Sequence, residues 1–321
     1  MDIVFGHISA LEYWRSNGPA LLRSFASRRS STARARKALA GPEKPMLDEF
    51  NRRPGGCSVP VHVLVGTRAA RTETSRVVSH LWSGAVSDGA VALAGDNFLM
   101  STPEFCFLQM ASCARPLELV KLGFELCGTY SLQPASDSGA IYRSASLTDA
   151  SRLRSFIEKS AGAIGANRAR TALRYVMDGS ASPMETALAM MLCLPYRLGG
   201  YGIECPLLNH SIVLPPGESK KFGRTRFVFD MCWPEHGLAC EYDSDMFHSG
   251  ESELLRDARR RNALAELGYT VITVHRAQVT DAGAFNELAR QLARLTGKRL
   301  CYKDPGFTRK HAELRAELFA R

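Results

Sequence analysis

The sequence predicts an α/β protein, with a C-terminal mixed sheet flanked by helices behind a smaller N-terminal α+β domain. Three observations lead there. At 321 residues the chain is long enough for two domains with sizeable cores. In the C-terminal half, alternating apolar runs interleave with amphipathic stretches in the order helix, three strands, helix, strand, helix. Upstream, short strand-like runs precede helices without any phosphate-loop or Gly-rich fingerprint.

Residues 1–45 form a basic, partly flexible N-terminal segment. From Arg15 to Lys44 they carry Arg15, Arg23, Arg28, Arg29, Arg34, Arg36, Lys37 and Lys44 against Glu43 alone. Residues 17–45 are rich in Ser, Ala, Arg, Gly and Pro with little apolar periodicity. They read as a mobile or weakly helical arm, either a solvated linker or a contact to nucleic acid. Residues 46–147 read as the small α+β domain: SVPVHVLVG and VSDGAVALAGDNFLM alternate as strands do, and STPEFCFLQM and RPLELVKLGFELC read as helices. Two amphipathic stretches over 148–180 are expected to bridge the halves. Residues 181–300 carry the larger sheet, and 301–321 a last peripheral helix.

The composition is 45% apolar and 23% charged, with a net charge of +9, which suits a globular protein with a polyanionic partner. No uninterrupted apolar run reaches membrane-spanning length, and the N-terminus lacks a basic region followed by an apolar core. The nine cysteines are odd in number and form no CxxC pair. They read as reduced thiols of a cytoplasmic protein.

The acids are less evenly spread than the bases. RFVFDMCW and GLACEYD read as the arms of an antiparallel hairpin turned by PEHG. Setting Trp233 opposite Leu238 puts Asp230 opposite Glu241, with Asp243 on the same face as Glu241. Opposed like charges need compensation. Two readings fit: Mg²⁺ (or Mn²⁺) held between Asp230, Glu241 and Asp243, or an exposed face screened by water and arginines. Glu185, in SPMETALAMMLC, is the third residue of a predicted helix capped by Ser182; that position suits a capping box, a site carboxylate or both. His248 is a candidate general acid or base, or a packed side chain. Arg256, Arg259, Arg260 and Arg261 are candidates for phosphate contact or a solvated face. Asp257 is a supporting residue or half of an intrahelical ion pair.

This ordered set covers about 182–280 and resembles the Vsr-like branch (very-short-patch repair endonucleases) of the PD-(D/E)xK nuclease superfamily. The matching elements are Glu185, Asp230 in FVFDMCWPEHGLA, Glu241 and Asp243 in ACEYD, His248, Asp257, Arg260 or Arg261, Gly268 and VITVHR. The usual superfamily motif ends Glu-x-Lys; here Asp243 stands at the lysine position, as in Vsr-like proteins. The resemblance implies a restriction-endonuclease-like fold and a metal-dependent endonuclease acting on DNA, with catalytic residues Asp230, Glu241, Asp243, His248 and Glu185. The missing lysine leaves a second implication, a non-catalytic nucleic-acid-binding regulator on a degenerate nuclease fold. The stretch HVLVG…LAGDNFLMSTPEFCFLQMA more faintly resembles the abortive-infection type antitoxin domain of bacterial proteins.

Overall fold

The computed structural model describes residues 2–18, 28–41, 55–95, 97–133, 139–243, 251–300 and 305–319, with the side chains of 28–29 and 251–257 outside that description. The chain divides into two compact units, Met1–Val176 and Met177–Arg321.

The first unit is organised by a mixed sheet. Its short first strand β1 (Ile3–Phe5) lies between β2 (Val61–Val65), antiparallel to it, and β5 (Phe98–Ser101), parallel to it. β3 (Val77–Leu81) extends the sheet beside β2, and β4 (Val91–Leu93) beside β5. α1 (His7–Asn17) follows β1 directly.

The basic arm expected over 17–45 is corrected over much of its length: residues 28–40 form a packed helix, α2 (Arg28–Ala40). Its Ala35 and Leu39 join one core cluster with Val4, Leu64, Val91, Leu99 and Phe105. Ser31 and Thr32 are buried as well. Apart from Leu39, the buried face is made of small and hydroxylated residues at helical spacing, so the sequence shows little apolar contrast there. Close approach is permitted by Gly66, where a Cβ would stand 1.9 Å from the Leu39 carbonyl oxygen. Two of the helix's arginines already hold carboxylates. Arg34 grips Asp2 through two bonds of 2.9 and 2.5 Å, and Arg36 reaches Asp88 and the Val86 carbonyl.

α3 (Pro103–Met110) and α4 (Pro116–Cys127) match the helices expected there. An antiparallel pair, β6 (Tyr130–Leu132) and β7 (Ala140–Tyr142), follows α4. α5 (Ala150–Lys159) and α6 (Ala166–Ala172), expected as a bridge, instead pack on α3 and α4 within the first unit, with Leu153, Ile157 and Ala169 buried. The amphipathic pattern over 148–172 is thus the inner face of this unit, and the boundary falls later, after Val176.

Three histidines meet at the edge of this sheet. The His7 ring stacks on His80 with centroids 3.6 Å apart, and His62 Nδ1 lies 2.8 Å from His80 Nε2. Burial, reinforced by the neighbouring histidines, lowers His7 to about 3; burial with His62 and Arg71 nearby lowers His80 to about 4. Burial also lowers His62, against the pull of Glu12. A histidine depressed on folding is protonated first in the unfolded chain. The stability it contributes is therefore complete above about pH 6.5 and is lost as pH falls toward the folded values. At pH 5 keeping His7 neutral costs about 2 kcal/mol. The melting temperature should fall between pH 7 and pH 5, and His80→Phe, which keeps a ring against His7 and removes a titrating partner, should flatten that slope. An unchanged slope would show that the cluster does not govern it.

In the second unit, α7 (Pro183–Cys193) starts and stops where its sequence says. Ser182 Oγ accepts the Glu185 amide at 3.1 Å, Pro183 takes the first helical position, and Leu194 ends the helix before Pro195. Then follow β8 (Leu207–Val213), a short α8 (Pro216–Phe222) that the sequence did not announce, β9 (Arg226–Trp233) and β10 (Leu238–Asp243). α9 (Glu251–Glu266) leads to β11 (Thr270–His275), a short α10 (Arg276–Thr280), α11 (Ala282–Leu295) and α12 (Phe307–Phe319). The sheet order is β11-β10-β9-β8, with β11 parallel to β10 and the other pairs antiparallel. Phe227, Phe229, Cys232 and Ala239 of this sheet pack against Ala263 and Leu264 of α9. Among the described residues no helix is long and apolar enough to cross a membrane.

Candidate functional site

The expected hairpin register is the observed one. Leu238 pairs with Trp233, Ala239 with Cys232 and Cys240 with Met231. The turn is a short 3-10 segment closed by Gly237 at φ 54°, where a Cβ would meet the Gly268 carbonyl oxygen at 2.5 Å. The ladder ends one step before Asp230 and Glu241. On the other side, β8 pairs Leu208 with Met231 and His210 with Phe229, skipping Asn209 and Asp230. Asp230 therefore sits where the ladders on both sides of β9 are interrupted. Its Oδ2 takes up the slack by accepting the Tyr242 amide at 2.7 Å.

Asn209 causes the break on the β8 side. It adopts φ 47°, a left-handed conformation that asparagine tolerates better than most residues. Its side-chain amide donates to the Gly179 carbonyl at 2.9 Å and to Glu185 Oε2 at 2.6 Å. Glu185 Oε2 also accepts the Ala181 amide at 2.8 Å, one residue upstream of the cap to which a capping box would reach. Glu185 is thus both a helix-start residue and a buried carboxylate, 7% exposed. Burial raises its pKa, and the charge of Asp230 raises it further, against its hydrogen bonds. Asp230 is raised by burial and by Glu241, against the Tyr242 amide and Arg260. Burial, then the same two acids, pushes the Cys240 thiol up. Glu185, Asp230 and Glu241 therefore form a line of carboxylates, each within the field of the next.

Arg260 supplies the opposing charge. Its guanidinium binds both oxygens of Glu241, at 2.6 and 2.5 Å, and donates to the Val228 carbonyl at 3.1 Å. It also lies over the faces of Phe227 and Phe229. Arg260, a candidate for orienting the site, for phosphate contact or for a solvated face, thus makes its hydrogen bonds to Glu241 and Val228 within the unit. Arg259 and Arg261, its neighbours on α9, are exposed. The side chains of Arg256 and Asp257 and the whole of His248 lie outside the described residues.

Asp243 shares the Glu241 face by alternation, and it lies 3.7 Å from His275 Nδ1. Sequence reasoning missed both Asn209 and His275. Asn209 had one signal, an asparagine inside a strand-like run, where that residue is depleted.

Three acids against one arginine leave net negative charge in a half-buried place. Asp230 Oδ1 has no hydrogen-bond partner among the described residues. Hard carboxylate oxygens suit Mg²⁺ or Mn²⁺, which are commonly held by one or two carboxylates and water. Among the described residues, no group of three or more His, Cys, Asp or Glu is arranged to hold a metal ion. Two carboxylates with water make such a donor set.

No family model matches the chain, and no solved structure matches it. Two uncharacterised proteins of Mycobacterium tuberculosis, from strains CDC 1551 / Oshkosh and ATCC 25618 / H37Rv, are each 28% identical to it over 124 residues. That stretch is 39% of this chain and spans 41% of the length of each relative.

Proposed function

We propose that the second unit is a metal-dependent endonuclease hydrolysing phosphodiester bonds in DNA, built on a PD-(D/E)xK fold. The observation that carries this reading is the line of Glu185, Asp230 and Glu241 at a double interruption of the sheet, with two of the three carboxyls raised above their ordinary values. Perturbed carboxyls of this kind gather at functional sites. Asp230 and Glu241 would hold Mg²⁺ or Mn²⁺, with Glu185 beside Asp230. When bound, such an ion supplies Lewis-acid stabilisation of phosphate charge and acidifies water. The remaining chemistry falls to this chain's own groups. Arg260 holds Glu241 in place and sets a positive charge beside it, while Asp243 stands at the position of the usual motif lysine. Exposed Arg259 and Arg261, with Lys220, Lys221, Arg224 and Arg226 on and after α8, offer phosphate contacts that carry no sequence preference. His248 is the proposed general acid or base.

The test is incubation of the full chain with Mg²⁺ or Mn²⁺ and plasmid, single-stranded or mismatched DNA. Nicking or cutting should appear and should drop at least about 100-fold in both Asp230→Ala and Glu241→Ala. Intact DNA of all three kinds would end the enzyme reading.

A second reading is favoured by one specific feature. Arg260 already occupies both oxygens of Glu241, as it would in a non-catalytic nucleic-acid-binding regulator with a degenerate nuclease fold. That reading expects salt-dependent DNA or RNA binding that survives loss of Asp230 and Glu241.

A further inference from the structure

The far end of α7 carries a second chemical feature, independent of the carboxylates. After Leu194 the chain doubles back along the helix terminus: the Tyr201, Gly202 and Ile203 amides donate to the Met191, Leu194 and Leu192 carbonyls at 3.0, 2.9 and 2.9 Å. This return brings Cys205 alongside Cys193, the last residue of α7. Cys193 Sγ lies 3.7 Å from the Glu204 carbonyl oxygen, in the peptide group that joins Glu204 to Cys205. Cys205 is exposed and Cys193 half-buried.

The two thiols are also differentiated. The hydrogen bond from Cys193 lowers Cys205 to about 7, against burial and the charge of Glu204. The same bond, with burial, pushes Cys193 up. Cys205 is therefore substantially thiolate at neutral pH, whereas Cys193 keeps its proton. Five of the other described cysteines, Cys57, Cys106, Cys127, Cys232 and Cys240, are buried free thiols. Cys113 is exposed and serves as an internal control.

We propose that Cys193 and Cys205 form a reversible, peroxide-sensitive dithiol that closes a disulfide between the end of α7 and the lead-in to β8. The Cys205 thiolate attacks a hydroperoxide oxygen and breaks the O–O bond. It becomes a sulfenic acid, and the departing alkoxide or hydroxide takes a proton from water. The Cys193 sulfur then attacks the sulfenic sulfur, the S–S bond forms, and the hydroxyl leaves with the Cys193 proton as water. Two electrons pass from the two thiols to the peroxide, and two equivalents of external thiol, or one dithiol, return them and leave as a disulfide. The bond would tie together the two elements that hold Glu185: α7, of which it is the third residue, and β8, whose Asn209 donates to it.

The test treats the reduced full chain with hydrogen peroxide, alkylates the remaining thiols and maps peptides by mass spectrometry without reduction. A Cys193–Cys205 cross-linked peptide is expected, reversed by dithiothreitol and absent from Cys205→Ser, while Cys113 is alkylated as before. In Cys193→Ser, Cys205 should accumulate as a dimedone-reactive sulfenic acid. Overoxidation of Cys205 in the unsubstituted protein, or its pairing with Cys301 or Cys113 instead, would overturn the proposal, as would the absence of any cross-link.

Discussion

Asp230→Asn is expected to make the protein more stable while removing the proposed cleavage activity. Asp230 has a carboxyl whose pKa is raised on folding, by burial first and by Glu241 next. The folded state therefore holds the proton more tightly than the unfolded chain does. Stability associated with this group is greatest at low pH and is lost as pH rises from the ordinary aspartate value through the raised one. At neutral pH the ionised carboxylate is a burden on the fold, and an amide of the same shape removes it. Asparagine can still accept the Tyr242 amide through its side-chain oxygen, so the hydrogen bond at 2.7 Å need not be lost. A melting temperature above that of the unsubstituted protein at pH 7, in the absence of divalent ions, is the expected reading. Cleavage should fall at least about 100-fold in the same variant. Opposite movements of stability and activity mark a residue kept for function at the expense of the fold. A destabilised Asp230→Asn would instead mean that the carboxylate holds the sheet together.

The second large effect concerns the first unit. Glu125 on α4 is 1% exposed, and both its oxygens receive Arg15 of α1, each at 2.7 Å. Its Oε1 also accepts the Leu132 amide at 2.9 Å. Removing one member of such a pair strands the other charge and the amide together. Glu125→Ala should lower stability by about 3–5 kcal/mol in urea unfolding. Replacing both charges, with Arg15→Met and Glu125→Leu, should recover most of that loss, because a packed apolar pair costs no desolvation. Equal damage from the single and double substitutions would show that packing around Glu125, rather than its charge, is what matters.

The sequence made the hairpin legible because its signals are local and agree with one another. Strand alternation, a Pro-Glu-His-Gly turn and the pairing of Trp233 with Leu238 all specify one register, and that register is found. The start and stop of α7 were legible for the same reason, since Ser182, Pro183 and Pro195 each act on their own neighbours. Residues 28–40 were misread because α2 buries mainly alanine, serine and threonine, with Leu39 the large apolar residue among them. Two of its arginines, Arg34 and Arg36, are tied to Asp2 and Asp88, which lie far away in sequence. The Arg260–Glu241 pair was hidden similarly. Charge on a helix face looks alike whether it meets water, phosphate or a carboxylate nineteen residues away. Asn209 was missed because its role comes from a backbone conformation, φ 47°, that no periodicity encodes.

Calorimetric titration of Mn²⁺ into the full chain shows whether the carboxylates around Asp230 hold a divalent cation. Saturable binding of one or two ions is expected, strongly weakened by Asp230→Ala and by Glu241→Ala. No binding, or binding indifferent to both substitutions, would rule out the proposed metal site.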